Sequence, residues 1–147
     1  MSPIWYNTGM EHLTERRIYY HHTDAGGVVY YTAYLEQFEE ARAEFFLSRG
    51  INIKDLADAG IHFVVASVQV SFRSPAFFYD LVRILTRVER VGTSSVVFNQ
   101  QVRRDAHLLV DSQTAVVCVG DNFKPRRIPP EIRQALTPDT SPAQEGQ

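Results

Sequence analysis

Residues Thr32–Gly50, reading TAYLEQFEEARAEFFLSRG, decide the fold. Tyr34, Phe38, Ala41 and Phe45 recur at helical spacing, with Leu35, Arg42 and Phe46 beside them. Glu36, Glu39, Glu40 and Glu44 supply a polar side, most simply a solvated face on which Glu39 or Glu44 can pair with Arg42 or Arg49. Thr32 is the candidate N-cap, and Gly50 sits where a C-terminal cap is expected. The spacing predicts one helix over Ala33–Arg49, long for a chain of 147 residues. Its aromatic face needs a broad partner surface, which a curved sheet supplies.

Downstream, a shorter helix is expected over about Ile53–Ala59, ending at Gly60. Beyond it the period changes to two. Val64, Ala66, Val68, Val70 and Phe72 alternate with Val65, Ser67, Gln69 and Ser71, and Pro75 closes the segment. Leu81–Arg90, Ser95–Arg104 and Leu108–Val119 follow, joined by turns at Gly92-Thr93 and Asp105-Ala106. Such short connections make these segments sequential antiparallel neighbours. The order of strand, long helix and four long strands gives an α+β domain, one helix packed on an antiparallel sheet. Pro129 or Pro130 can open a last short helix through Leu136. Residues 137–147 are polar and Pro-containing, and are expected to be disordered. Residues 1–13 show no clear period and are expected to form a loose arm before a domain at 14–136.

Upstream of the long helix, the sequence alternates from Thr14 to His22. Arg16, Ile18, Tyr20 and His22 point one way and Glu15, Arg17, Tyr19 and His21 the other, which predicts a strand. It runs into Thr23-Asp24-Ala25-Gly26-Gly27-Val28-Val29-Tyr30-Tyr31. Asp24 is the only carboxylate in that block. A carboxylate beside glycines and a helix start can serve attack on a carbonyl, because the helix end offers N–H groups and positive dipole. On these residues alone, an Asp-Ala-Gly-Gly turn joining a strand to a helix is the better account of the block.

Composition narrows the function classes. A hydrophobic content of 44% with 22% charged residues is that of a globular protein. A net charge of −2 gives no footprint for nucleic acid. No apolar run approaches the ~18 residues of a membrane span. Met1–Glu11 lacks the pattern of a signal peptide, and the single Cys118 cannot form an internal disulfide. Both fit a reducing, cytoplasmic setting. Cys118 lies in an apolar segment and is expected in the core rather than as a nucleophile.

Other chemistries find little support. His21, His22 and Asp24 are close in sequence, but adjacent histidines on a strand face opposite sides, and no zinc-type spacing is present. No metal site is expected. There is no Gly-x-Ser-x-Gly elbow, and Gly26-Gly27 is neither a dinucleotide fingerprint nor a phosphate loop. His62 and His107 fall at segment edges and read as surface residues. Lys124, Arg126 and Arg127 are either a solvated connector or a phosphate site.

Taken together, Thr23-Asp24, Gly26-Gly27-Val28-Val29-Tyr30, Tyr34-Leu35 and Glu39-x-Ala41-Arg42 resemble the hydroxybenzoyl-CoA thioesterase family of hotdog-fold proteins. The most similar branch is that of the tol-pal-associated acyl-CoA thioesterases. The likeness extends to Phe63-Val64-Val65, Ser74-Pro75-Ala76, Asp80, Gly92-Thr93-Ser94, Val116–Val119 and Lys124-Pro125-Arg126.

The resemblance implies a hotdog fold, with an antiparallel sheet of about five long strands wrapped around one central helix. It also implies a homodimer or homotetramer with active sites between subunits. It assigns the catalytic carboxylate to Asp24, acting on an acyl-CoA thioester as nucleophile or general base. It assigns polarisation of the carbonyl to the N–H at Tyr31, and close approach of substrate to Gly26 and Gly27. Val64 and Val65 would line the acyl pocket from the neighbouring subunit, and Arg90, Lys124 and Arg126 would meet the CoA phosphates. No cofactor is implied, because coenzyme A arrives as part of the substrate. The branch usually carries His directly after Val-Val-Tyr, where this chain has Tyr31. Two other hotdog activities remain as alternatives: a hydratase or dehydratase, and a non-catalytic binding module for acyl-CoA or acyl carrier protein.

Overall fold

The computed structural model describes residues 11–137. Five strands form one antiparallel sheet: β1 (Glu11–Arg17), β2 (His62–Phe72), β3 (Leu81–Val91), β4 (Ser95–Arg104) and β5 (His107–Val119). Their spatial order is β1-β3-β4-β5-β2. The helices are α1 (Tyr31–Ser48), α2 (Ile53–Asp58) and α3 (Pro130–Leu136). This is the α+β arrangement expected of a hotdog fold.

The long helix sits on the sheet through the face its spacing specified. Ala33, Tyr34, Phe38, Ala41, Phe45 and Phe46 are all buried. Toward one end, Phe38 and Ala41 pack with Ile18, Val82, Ile84 and Val102. Toward the other, Phe45 and Phe46 meet Phe98 edge-on at ring-centroid distances of 5.7 and 5.8 Å, in the geometry that aromatic quadrupoles favour. Cys118 is buried in this second cluster, and burial pushes its thiol above its ordinary pKa. Ile132 and Leu136 of α3 cover the same end.

One buried polar network ties helix to sheet. Gln100 Nε2 donates to the Phe38 carbonyl at 2.9 Å and to Thr86 Oγ1 at 3.0 Å. The Arg42 guanidinium donates to Gln100 Oε1 at 2.9 Å, so Arg42 turns inward, while Glu36, Glu39, Glu40 and Glu44 stay at the surface. Burial lowers the Arg42 pKa, opposed by the Glu39 carboxylate.

Three boundaries differ from the sequence expectation. The first strand is Glu11–Arg17 and does not reach His22. Its partner β3 begins at Leu81, opposite Arg17, so the ladder ends there. Tyr20–His22 instead close a turn of 3-10 helix, in which the Tyr19 N–H donates to His22 Nδ1 at 2.9 Å. Alternation of Tyr and His suits a strand, but Tyr19 and Tyr20 are exposed and bury no face. Glu11–Leu13 of the expected arm therefore belong to β1, whereas residues 1–10 lie outside the described residues, as do residues 138–147 of the expected tail. The helix starts at Tyr31, with Tyr30 rather than Thr32 at the N-cap and no side chain capping it. Tyr30 is fixed there because its N–H donates to the His22 carbonyl at 3.2 Å. At the other end Gly50 has φ +76°, the left-handed conformation that closes a helix with least strain in glycine.

Strand β2 is the third difference. Alternation predicts one buried face, yet Val64, Val65, Val68 and Phe72 are all exposed. The strand pairs with β5 along one side only and forms the edge of the sheet.

Candidate active site

Asp24 stands in a tight, fully bonded turn. Its N–H donates to the Val28 carbonyl at 3.0 Å, and its carbonyl accepts from Gly27 at 2.9 Å. The side chain folds back, so that Oδ1 accepts the Gly26 N–H at 2.8 Å. Gly27 has φ +80°, a conformation costly for any residue with a Cβ. A Cβ on Gly26 would stand 3.3 Å from Asp24 Oδ1. The glycines thus fit the turn for two reasons: one supplies the conformation, the other leaves room for the carboxylate.

The turn is anchored on both flanks. Thr23 and Val29 form an antiparallel bridge across it, and Val28 bridges to Phe77. The Val29 N–H donates to the Ala76 carbonyl at 3.0 Å. These bonds deliver the chain to Tyr30 and α1. No side chain caps this helix, and its first N–H groups lack intrahelical acceptors by position. The positive end of the helix dipole lies at Tyr31, which borders the same space as Asp24.

That space is a cavity of about 410 Å³ lined by Asp24, Val29, Tyr30, Tyr31, Tyr34, Phe72, Arg73, Ser74 and Pro75. Asp24 and Tyr31 therefore share one cavity. The Tyr31 ring is 64% exposed, while Tyr34 is 2% exposed and accepts the Ala76 N–H on its hydroxyl at 3.2 Å. Burial raises the Tyr34 pKa, with the Ala76 bond opposing it, so the phenol stays neutral. A carboxylate, a helix start and an apolar wall can hold a carbonyl carbon next to an attacking oxygen and its own oxygen next to N–H donors.

The other residues singled out in the sequence lie elsewhere. Gly26 and Gly27 belong to the turn but not to the cavity lining. Val65 lines a second cavity of about 240 Å³ with Glu39, Arg42, Phe46, His62, Phe63 and Val116. Val64 is beside it on β2. Lys124 and Arg126 follow β5, where Val119 bridges to Pro125 and the Arg126 N–H donates to the Cys118 carbonyl at 2.9 Å. Arg90 is near the Val91 end of β3 and outside the cavity lining. A single copy of the chain does not bring Val64, Val65, Arg90, Lys124 or Arg126 into the cavity of Asp24.

Tyr34, Phe72 and Arg73 escaped the sequence reading as site residues. Tyr34 read as core, and it is both core and cavity wall. For Arg73 a signal was present: a cation where a strand meets Ser74-Pro75, although Asp111 lies 3.9 Å from it and reads as its structural partner. His62 does not stand free at a segment edge, because its Nε2 is 2.8 Å from Asp121 Oδ1. His21 and His22 are not on opposite faces of a strand, since their rings lie 4.0 Å apart in the 3-10 turn. Among the described residues no group of three or more His, Cys, Asp or Glu is arranged to hold a metal ion. Nor is any described helix long and apolar enough to cross a membrane.

Comparison with known proteins adds three findings. The family model described as "Thioesterase superfamily" matches residues 26–110, more than half of the chain, starting just after Asp24. The acyl-CoA thioester hydrolase YbgC of Escherichia coli is 36% identical over 118 residues, covering 79% of this chain and 88% of that protein. The crystal structure of a probable thioesterase from Bartonella henselae superposes with a TM-score of 0.78 at 32% identity, covering 81% of this chain and 99% of the other.

Proposed function

Because the chain belongs to the thioesterase superfamily, we propose that it hydrolyses the thioester of a small acyl-CoA with Asp24 as its catalytic carboxylate. The observation that carries this reading is the shared cavity of Asp24 and the uncapped start of α1 at Tyr31. A thioester has weak resonance and a good thiolate leaving group, so a carboxylate suffices without a Ser-His pair. Asp24 either attacks the carbonyl carbon, expelling the CoA thiolate and forming a mixed anhydride that water then hydrolyses, or takes a proton from a water that attacks the carbonyl and expels the thiolate. The Tyr31 N–H stabilises the oxygen on which charge develops. The Gly26 N–H orients the carboxylate through Oδ1.

The complete site forms from two copies. β2 offers an open edge of 11 residues with Val64, Val65, Val68 and Phe72 exposed, and an unpaired edge of that length is a template for another strand. Antiparallel pairing of β2 with itself brings the Phe72 end, which lines the Asp24 cavity, beside the His62 end of the partner. The acyl group then enters a pocket completed by Val64 and Val65 of the partner subunit. Lys124 and Arg126 of the partner subunit follow β5, the strand beside β2, and in this scheme meet the CoA phosphates. Arg73, already in the cavity wall, is a further cation within this arrangement. No cofactor enters the scheme.

Thiol release tests the function across short aliphatic, long aliphatic and aromatic acyl-CoAs, with solution mass measured alongside. Hydrolysis of a small acyl-CoA by a dimer or tetramer supports the reading. Tight acyl-CoA binding with no thiol release supports a binding module, and enoyl-CoA turnover without thioester cleavage supports a hydratase.

A further inference from the structure

Asp80 and Arg104 lie outside the cavity, yet their bonds converge on the segment that holds the Asp24 turn. Arg104 donates to Asp80 Oδ2 at 2.7 Å, and the same guanidinium nitrogen donates to the Pro75 carbonyl at 3.2 Å. Asp80 Oδ2 also accepts the Phe77 N–H at 2.9 Å. The Arg104 guanidinium stands over the Phe77 ring, 5.8 Å from its centroid. Residues 75 and 77 are thereby fixed from one carboxylate oxygen and one guanidinium. Between them Ala76 is fully buried, with its N–H on the Tyr34 hydroxyl and its carbonyl on the Val29 N–H. Phe77 bridges to Val28.

The pair is 23% and 29% exposed at its side chains, enough shielding for one well-aligned bond to outlast solvent competition. It joins a loop before β3 to the end of β4, far apart in sequence.

We infer that Asp80 and Arg104 form a clasp that positions the catalytic turn: through Pro75–Phe77 they set the height of Val28–Val29, and with it the place of Asp24 relative to the start of α1. This rests on the reading of Asp24 as the catalytic carboxylate. Both are positioning residues, because neither touches the cavity.

The test compares Asp80→Ala, Asp80→Asn and Arg104→Lys with the wild type in steady-state thiol release and in amide hydrogen exchange at Val29. The clasp predicts a fall in kcat of about 10- to 100-fold for Asp80→Ala, with KM within about threefold. It predicts exchange at the Val29 amide faster by about tenfold or more, with Gln100 in the sheet centre unchanged. Asp80→Asn keeps the Phe77 bond and loses the charge, so an intermediate kcat is expected, and it carries the same test should the alanine variant not fold. Wild-type kcat and wild-type exchange at Val29 in folded Asp80 and Arg104 variants overturn the inference. An Asp24→Asn enzyme that retains activity overturns the reading of Asp24 instead, and leaves the Val29 exchange as the measure of the clasp.

Discussion

The Gly26 N–H donates to Asp24 Oδ1 at 2.8 Å. This bond turns the carboxylate back over its own turn and gives Oδ1 a fixed donor. The same contact explains why Gly26 has no room to spare.

Gly26 and Gly27 are therefore expected to fail differently on substitution. A Cβ at Gly27 meets no atom within 4 Å, but its φ of +80° penalises an L-residue by about 1–2 kcal/mol. Gly27→Ala should lower the thermal midpoint by several degrees and spare most activity. A Cβ at Gly26 presses on Asp24 Oδ1 at 3.3 Å, so Gly26→Ala should lower kcat by about tenfold with a smaller change in stability. Thermal melts and thiol release on the two variants decide this, and the reverse pattern contradicts it.

In the proposed mechanism Tyr31 acts through its backbone N–H. Its ring is 64% exposed, so Tyr31→Phe and Tyr31→His should stay within about threefold of wild-type kcat. Tyr31→Pro removes the N–H at the first helical position, where proline is well tolerated. The preceding Tyr30 is already extended, with φ −84° and ψ 157°, as a residue before proline prefers. The proline variant should fold and lose about a hundredfold or more in kcat. An active proline variant removes Tyr31 from the mechanism.

His22 makes the turn sensitive to acid. Its Nδ1 accepts the Tyr19 N–H at 2.9 Å, which requires a neutral ring with its proton on Nε2. Burial first, and then the neighbouring His21 ring, hold its pKa below the ordinary 6.5, against the pull of Glu40 and Glu36. A folded-state pKa below the unfolded value means the contribution is whole above 6.5 and is lost as the pH falls through the folded value. His12, whose pKa burial also lowers, acts in the same sense. The thermal midpoint should fall between about pH 7 and about pH 5, and His22→Gln should flatten part of that fall. A fall of the same size in the variant contradicts this role.

Much of the fold was legible because periodicity reports element type, and on α1 burial as well, although β2 alternates with both faces largely exposed. Phe38, Ala41 and Phe45 named the buried face of α1, and the period of two from His62 onward named four strands in order. The alternation at Tyr19–His22 misled because those rings bury no face and a hydrogen bond to His22 decides the local geometry. At the helix start, Tyr30 caps through its place in the chain, which side-chain preference for Thr32 does not capture. For the site, Asp24, Gly26, Gly27 and Tyr31 sit together in sequence and in space. Phe72 and Arg73 come from a distant strand end, and Asp80 with Arg104 act through Ala76. Such contacts depend on tertiary register, which local spacing does not encode. In the proposed scheme, Val64, Val65, Lys124 and Arg126 would reach the site only from a second copy of the chain.

The central claim is that Asp24 performs the chemistry. Asp24→Asn keeps the size of the side chain and an oxygen for the Gly26 N–H, so the turn should fold unchanged. Thiol release over the acyl-CoA panel, with the thermal midpoint as a check on folding, is the most direct test. A folded variant slower by about a hundredfold or more on every acyl-CoA that the wild type hydrolyses is the predicted result. A folded variant at the wild-type rate contradicts the assignment.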